Sequence, residues 1–482
     1  MPARVSRRVS ESTPQRTAFW RAFGSPRSNP PAWAARSAAQ RGNRATPVAS
    51  SEAASLLEGI GGGPPRSIEL GVEAVVACPA TRFKAVTTRF VLTVSAVRKV
   101  LLSAALALVA GGVAVDAASP EARPRAHEIG IVIGRLQPGP LDAITDVTGV
   151  RVGQVTRSFG EGKLVPGRGP ARTGVTAIIP RDDVWHRKCP AAAAVANGCG
   201  EVTGIAWVNE SGWLEVPIVV TNSHAVGRAF DAVITWMQRG NPKIGVDEDV
   251  VDPVVGECDD SAFNDIRGRH VREEDVLAAL DGARGGAVEE GAVGAGTGME
   301  SFAFKSGVGT ASRVVQHPTG AYTVGALVVA NFGDREELIL AGVPIGREMP
   351  LEQRPFKASE GSIVIVVATD APLDSRQLGR VARRAPMALA RLGTPGHHGS
   401  GDFCIAFSTA HVIPEAAEGK RLTFRLLSDL DLDPFFQAAE EAIEESVVNS
   451  LLRARTIVGR DGNRSEAIPI AHLKRVLAKY GR

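Results

Sequence analysis

The stretch Glu360-Gly361-Ser362-Ile363-Val364-Ile365-Val366-Val367-Ala368-Thr369-Asp370-Ala371-Pro372 constrains this chain more than any other. Its β-branched run has no polar alternation, is too short for a core helix, and lies between Gly361 and Ala371-Pro372. It reads as a strand buried on both faces, opened by Ser362. A serine at the first position of such a strand, preceded by glycine, suits one unusual job. Gly361 has no Cβ, so its carbonyl can be held in a turn that other residues resist, within reach of the Ser362 hydroxyl. Attack there moves the acyl group from N to O, and water cleaves the ester. The new chain begins with Ser362, whose α-amine titrates near about 7.7 to 8.0 in model peptides and can act as a general base. One residue would then supply nucleophile and base together. The same dipeptide would also serve merely to end a loop before a strand, and the pair alone does not choose.

Composition narrows the function class. The 482 residues are 44% hydrophobic, enough for a large core. The 55 basic and 52 acidic residues leave a net charge of +3, which gives no electrostatic case for nucleic acid as a partner. Cys78, Cys189, Cys199, Cys258 and Cys404 have no CxxC spacing, so neither a zinc site nor a dense disulfide framework is expected. They read as small buried apolar residues, with one disulfide open if the protein is exported.

Residues 1–94 are rich in Arg, Ser, Ala and Pro and read as disordered or translated upstream of the true start. Arg98-Lys99, the apolar run Val100 to Val115 and Val115-Asp116-Ala117 make 95–117 a secretory signal, too short for a comfortable membrane span. The expectation is a periplasmic or secreted protein with no stable membrane insertion once the signal is removed.

Beyond Pro120, strands are expected at Ile129 to Gly134 and Val175 to Pro180, and two more between Gly200 and His224, joined by a loop holding Glu210. Helices are expected over Ala225 to Arg239, Glu273 to Ala283, Asp433 to about Arg455 and Ile468 to Tyr480. Another, Asp374 to Leu392, should kink at Pro386. The acidic group Glu257 to Ile266 lacks calcium-loop spacing and reads as caps and turns. Gly291 to Gly298 matches no phosphate-loop pattern and fits a packed turn or a wall where backbone approaches a substrate. Tyr322 to Phe332 is a buried strand ending near Asn331, whose amide could serve an oxyanion. His397-His398 lack any companion ligand spacing and read as loop histidines ahead of a strand over Phe403 to Thr409.

Nine segments in order carry a resemblance: ITDVTGVRVGQVT, GPARTGVTAIIPR, NGCGEVTGIAWVNESG, ECDDSAFNDIRGRHV, GAVGAGTGM, KSGVGTASR, YTVGALVVANFG, EGSIVIVVATDAPL and GSGDFCIAFSTA. Together, from Ile129 to Ala410, they resemble the N-terminal-nucleophile-like aminopeptidases, which include the L-aminopeptidase/D-Ala-esterase/amidases and the bacterial β-aminopeptidases. The resemblance implies an α/β fold, a four-layer αββα sandwich, cut at Gly361-Ser362 into an α chain (118–361) and a β chain (362–482) that stay associated. It also implies a homo-oligomer of αβ units. Ser362 matches the nucleophile, Ser400 and Asp402 the pair supporting it, and Asn331 the oxyanion donor. Glu210 corresponds to the carboxylate that binds the substrate's free amine. Trp213 stands where some relatives carry a tyrosine, and an indole offers no hydroxyl to a leaving group. The implied activity is metal-independent and cofactor-free, releasing N-terminal residues from short peptides, amides or esters through an acyl-enzyme. Its rivals are a nylon-oligomer amidohydrolase or acyltransferase on the same scaffold, and a secreted binding protein without turnover.

Overall fold

A computed structural model describes residues 123–351 and 361–482. The expectations for 1–94 and 95–117 fall outside the described residues, as does Glu360.

The run after Gly361 is a strand. Ile363, Ile365 and Val367 enter one core while Val364, Val366 and Ala368 enter a second. A strand that feeds two cores needs a cover on each face, and the rest of the chain supplies it. The strands are β1 Arg151–Phe159, β2 Ala171–Ile179, β3 Arg187–Gly198, β4 Trp213–Leu214, β5 Ile218–Asn222, β6 Val254–Cys258, β7 Glu300–Ser301, β8 Phe304–Lys305, β9 Val308–His317, β10 Gly320–Asn331, β11 Ser362–Thr369, β12 Gly401–Ser408 and β13 Ile413–Pro414. The larger sheet runs β13-β3-β12-β11-β10-β9, with β4 on β3, and the smaller runs β1-β2-β5-β6. Within the larger sheet β11 is antiparallel to β10 and parallel to β12.

The helices are α1 Ile205–Ser211, α2 Val226–Gly240, α3 Glu273–Asp281, α4 Ile345–Glu348, α5 Ser375–Ala382, α6 Ala385–Arg391, α7 Asp433–Arg453 and α8 Ile470–Lys479. Helices α2 and α3 cover the smaller sheet, whereas α5 lies on β3 and β12, and α7 on β9 and β10. The second core fills the space between the sheets, so the layers are helices, sheet, sheet, helices. Close approach is built into the sequence. A Cβ on Gly309 of β9 would sit 1.9 Å from the Ser446 carbonyl of α7. Helix α7 is buried on nearly every side, and its Glu441 and Glu445 meet the buried Arg313 of β9.

Several expectations change. Ile129 to Gly134 joins no sheet ladder: Gly130 and Gly134 have φ of 84° and 77°, which interrupt an extended path, although Ile131 and Ile133 still plug the outer core. The stretch before Trp213 is helical where a strand and loop were expected, because Gly204 and Gly212 at φ 72° and 79° bracket one short helix, α1. Asp374 to Leu392 breaks into α5 and α6, with Pro386 in the first turn of α6 where its missing N–H costs nothing. Cys189, Cys258 and Cys404 are buried as expected, but Cys199 is exposed, and all four are unpaired. Among the described residues no helix is long and apolar enough to cross a membrane.

Candidate active site

The register of three strands assembles the site. Ser362 pairs with Asn331 across the β10–β11 ladder and with Gly401 across the β11–β12 ladder. Ser400 and Asp402 therefore flank the residue that pairs with Ser362, on a strand about 4.8 Å away. By alternation Ser362 shares its face with Val364, and Asn331 with Val329, so both lie on the side between the sheets. All four residues are buried.

Gly361 has φ 63°, the left-handed region, and a Cβ there would stand 2.0 Å from the Asn331 carbonyl oxygen and 2.7 Å from Phe332 Cα. Only glycine fits. The peptide ahead of Ser362 is thus pressed into a turn against the end of β10.

Asn331 is held from both ends. Its Oδ1 accepts from the Glu300 backbone N–H at 2.9 Å and its Nδ2 donates to the Asp259 carbonyl at 2.9 Å. These bonds fix the amide's orientation and leave the second N–H of the Nδ2 group available as a donor. Ser400 Oγ donates to Asp402 Oδ1 at 2.7 Å. Burial pushes the Asp402 carboxyl up from its ordinary value, opposed by the Ser400 hydroxyl and the charge of His397. His397 is a loop residue, as expected. Its carbonyl accepts from Ser400 N at 3.0 Å and its Nε2 meets Glu337 Oε1 at 2.8 Å, so it anchors the turn that launches Ser400.

Two of the expected residues are elsewhere. Glu210 is exposed on α1 rather than buried in a loop. Trp213 pairs with Pro190 on β3, while the ladder that leads to Ser362 meets β3 at Gly198. Eight residues of strand separate the two points, about 26 Å. The Trp213 indole instead donates to the buried Glu215 at 3.0 Å, beside Trp207 and Lys188.

A buried carboxylate that does lie beside these strand ends is Glu257, which stands in the sequence next to the residues of the acidic turn. It is 7% exposed at the end of β6, and a Cβ on Gly200 would stand 2.8 Å from its Oε1 and 3.4 Å from the Phe403 ring of β12. Its Oε1 accepts from the Glu201 backbone N–H at 3.1 Å, and the Ser223 hydroxyl donates to Oε2. Burial raises the Glu257 carboxyl, and no cation among the described residues pairs with it. The signal that could have found it is position: it ends an apolar run, Val254-Val255-Gly256, before the polar turn begins. That turn behaves as expected, with Asp259 Oδ1 accepting from Ser261 N at 2.8 Å. The glycine-rich loop is a packed turn: Gly294, Ala295 and Gly296 are buried, and a Cβ on Gly296 would sit 2.4 Å from Val308 N.

Residues 142–465 match the model of peptidase family S58. The chain is 40% identical over 390 residues to the β-peptidyl aminopeptidase BapA of Sphingosinicella microcystinivorans, covering 78% of this chain and 97% of that protein. Among solved structures, the PH0078 protein of Pyrococcus horikoshii superposes with a TM-score of 0.71 at 47% identity, covering 74% of this chain and all of that one. The L-aminopeptidase D-Ala-esterase/amidase of Ochrobactrum anthropi superposes with a TM-score of 0.70 at 42% identity, covering 75% and 99%. That enzyme is described as a prototype for the serine aminopeptidases and a variant of the Ntn-hydrolase fold.

Proposed function

Since the chain belongs to peptidase family S58 and is a serine aminopeptidase, we propose that it opens its own Gly361–Ser362 bond and uses the freed terminus to release N-terminal β- or L-residues from short peptides, amides and esters. The observation that carries the reading is the left-handed turn at Gly361, packed against the Asn331 carbonyl immediately before a buried serine. In the precursor, the Ser362 hydroxyl attacks the Gly361 carbonyl carbon, the C–N bond breaks as nitrogen takes a proton, and water hydrolyses the resulting ester. Turnover repeats the chemistry on substrate. The α-amine accepts the Ser362 hydroxyl proton, Asn331 Nδ2 donates to the oxyanion, and the Ser400–Asp402 pair keeps hydroxyl and amine in register.

Glu257 makes the enzyme an exopeptidase in this reading. A buried carboxylate without a cation is costly, and a substrate ammonium supplies the missing partner at a set distance from the scissile carbonyl. The role expected for Glu210 thereby moves to Glu257. The β-peptidyl acyl group is the one named for the Sphingosinicella relative. Export through segment 95–117 and assembly of αβ units belong to the same proposal.

The test is the Ser362→Ala variant, expected to remain one continuous chain and to hydrolyse no aminoacyl nitroanilide. Two fragments on a denaturing gel, or retained turnover, would overturn the reading.

A further inference from the structure

Lys305 takes no part in the chemistry described so far, yet it is one of the largest side chains with no exposed surface at all. A lysine in such a place has to find acceptors for its three N–H groups. Here Nζ donates to the carbonyls of Gly296 at 3.0 Å, Met299 and Ser306. Across the β7–β8 hairpin it pairs in register with Glu300, the charged side chain that faces it.

One of those three carbonyls matters for the reaction. The Met299 carbonyl and the Glu300 N–H belong to the same peptide group. Lys305 holds the oxygen of that group, and its N–H donates to Asn331 Oδ1 at 2.9 Å. The result is an unbroken line: ammonium, peptide 299–300, the Asn331 carboxamide, and the Nδ2 group aimed at the oxyanion. Positive charge on the first oxygen polarises the peptide and strengthens its N–H as a donor. The stronger bond in turn draws electrons from the Asn331 amide and sharpens its own N–H groups. Geometry adds to this, since the loop that carries Glu300 N is pinned by the lysine through Gly296 and Ser306 as well.

We infer that Lys305 is the positioning and polarising residue of the oxyanion site, acting through peptide 299–300 on Asn331. The inference rests on Asn331 being the oxyanion donor. Burial lowers the Lys305 ammonium to about 7, with Glu300 pulling the other way. The line is therefore charged below that pH and loses its charge as pH rises through it.

The experiment compares two probes on the processed enzyme. β-Homoleucinal forms a hemiacetal with Ser362 that places an anionic oxygen in the oxyanion position, whereas β-homoleucinol fills the same acyl pocket with a neutral hydroxyl and forms no bond to Ser362. Lys305→Met and the milder Lys305→Gln are expected to weaken the aldehyde at least about tenfold, a part of the ~10²–10³-fold lost when an oxyanion donor itself is removed. Affinity for the alcohol and KM should stay put while kcat falls with the aldehyde. Equal loss for both probes, or no loss, would overturn the inference. Glu300→Gln keeps the backbone N–H and removes the charge that supports the ammonium. It should move the alkaline decline of the aldehyde-to-alcohol affinity ratio to lower pH, and an unmoved decline would equally overturn the inference. Should neither lysine variant fold, this shift decides alone. Asn331→Ala separates the premises: if it leaves aldehyde affinity intact, the oxyanion assignment itself is wrong, and if it removes that affinity while the other variants do not, only the role of Lys305 falls.

Discussion

Asp402 sits in a conflict that sets how the site responds to acid. Burial favours its protonated form, while the Ser400 hydroxyl and His397 favour the carboxylate. Burial prevails, so the folded value lies above the ordinary one. If the carboxylate is the working form, kcat/KM falls as pH drops through a value higher than that of a free aspartate. Asp402→Asn should lower kcat by about 10²–10⁴-fold and erase that acid limb, as a pH–rate profile would reveal. Glu257→Gln should act differently, raising KM for substrates with a free amine by about tenfold or more while N-acylated analogues stay equally poor; initial rates on the two series separate the outcomes. At this scale the sequence shows which residues stand at strand ends, and the ladder shows which of those ends meet. Ser362, Asn331, Ser400 and Asp402 all begin or close runs of apolar residues, and the ladder brings them to one rim. Glu257 was hidden because Asp259, Asp260 and Ser261 beside it do form a turn. Lys305 was hidden for a different reason: nothing local marks a lysine as having no access to water.

Elements were legible in proportion to their periodicity. Helices α2, α3, α7 and α8 follow their apolar spacing to within a few residues, and β11 reads directly from its β-branched run. Strand β3 escaped notice because Lys188-Cys189-Pro190-Ala191-Ala192-Ala193-Ala194 is poor in strand-forming side chains. Its alanines serve packing instead: a Cβ on Gly379 of α5 would lie 3.5 Å from the Ala192 methyl. The same economy of volume governs β9 and α7. Gly309→Ala would drive a methyl into the Ser446 carbonyl and force the longest helix off its sheet, an overpacking cost of about 1–3 kcal/mol. Urea titration of the purified variant measures it, and an unchanged midpoint would mean that α7 yields without strain.

The molecule as a whole carries ionisable groups where none has water. Asp260 is fully buried, and burial lifts its carboxyl to about 7, against the opposing bonds of Thr173 and Asn264. The folded protein therefore keeps this proton where the unfolded chain gives it up. Stability contributed by the group is complete below the unfolded value of about 4 and declines as pH rises toward 7, by up to about 1.4 kcal/mol per unit. Asp260→Asn should flatten that part of the curve, which melting temperatures across pH 4 to 8 would record.

The four-layer arrangement itself was expected from family likeness rather than from any single run of residues, because layer order depends on which strands meet across long stretches of chain. Strand β11 has a neighbour from each side of the proposed cut: β10 from the segment before it and β12 from the segment after it, each aligned over its full length from Ser362 to Thr369. Opening the Gly361–Ser362 bond would then leave two polypeptides that interlock through shared hydrogen bonds and two common cores. Sieving should find one particle, heating should melt it in one step, and only a denaturant should set the pieces free. Once parted they need not find one another again, so the backbone break would turn a reversible folder into a device assembled once.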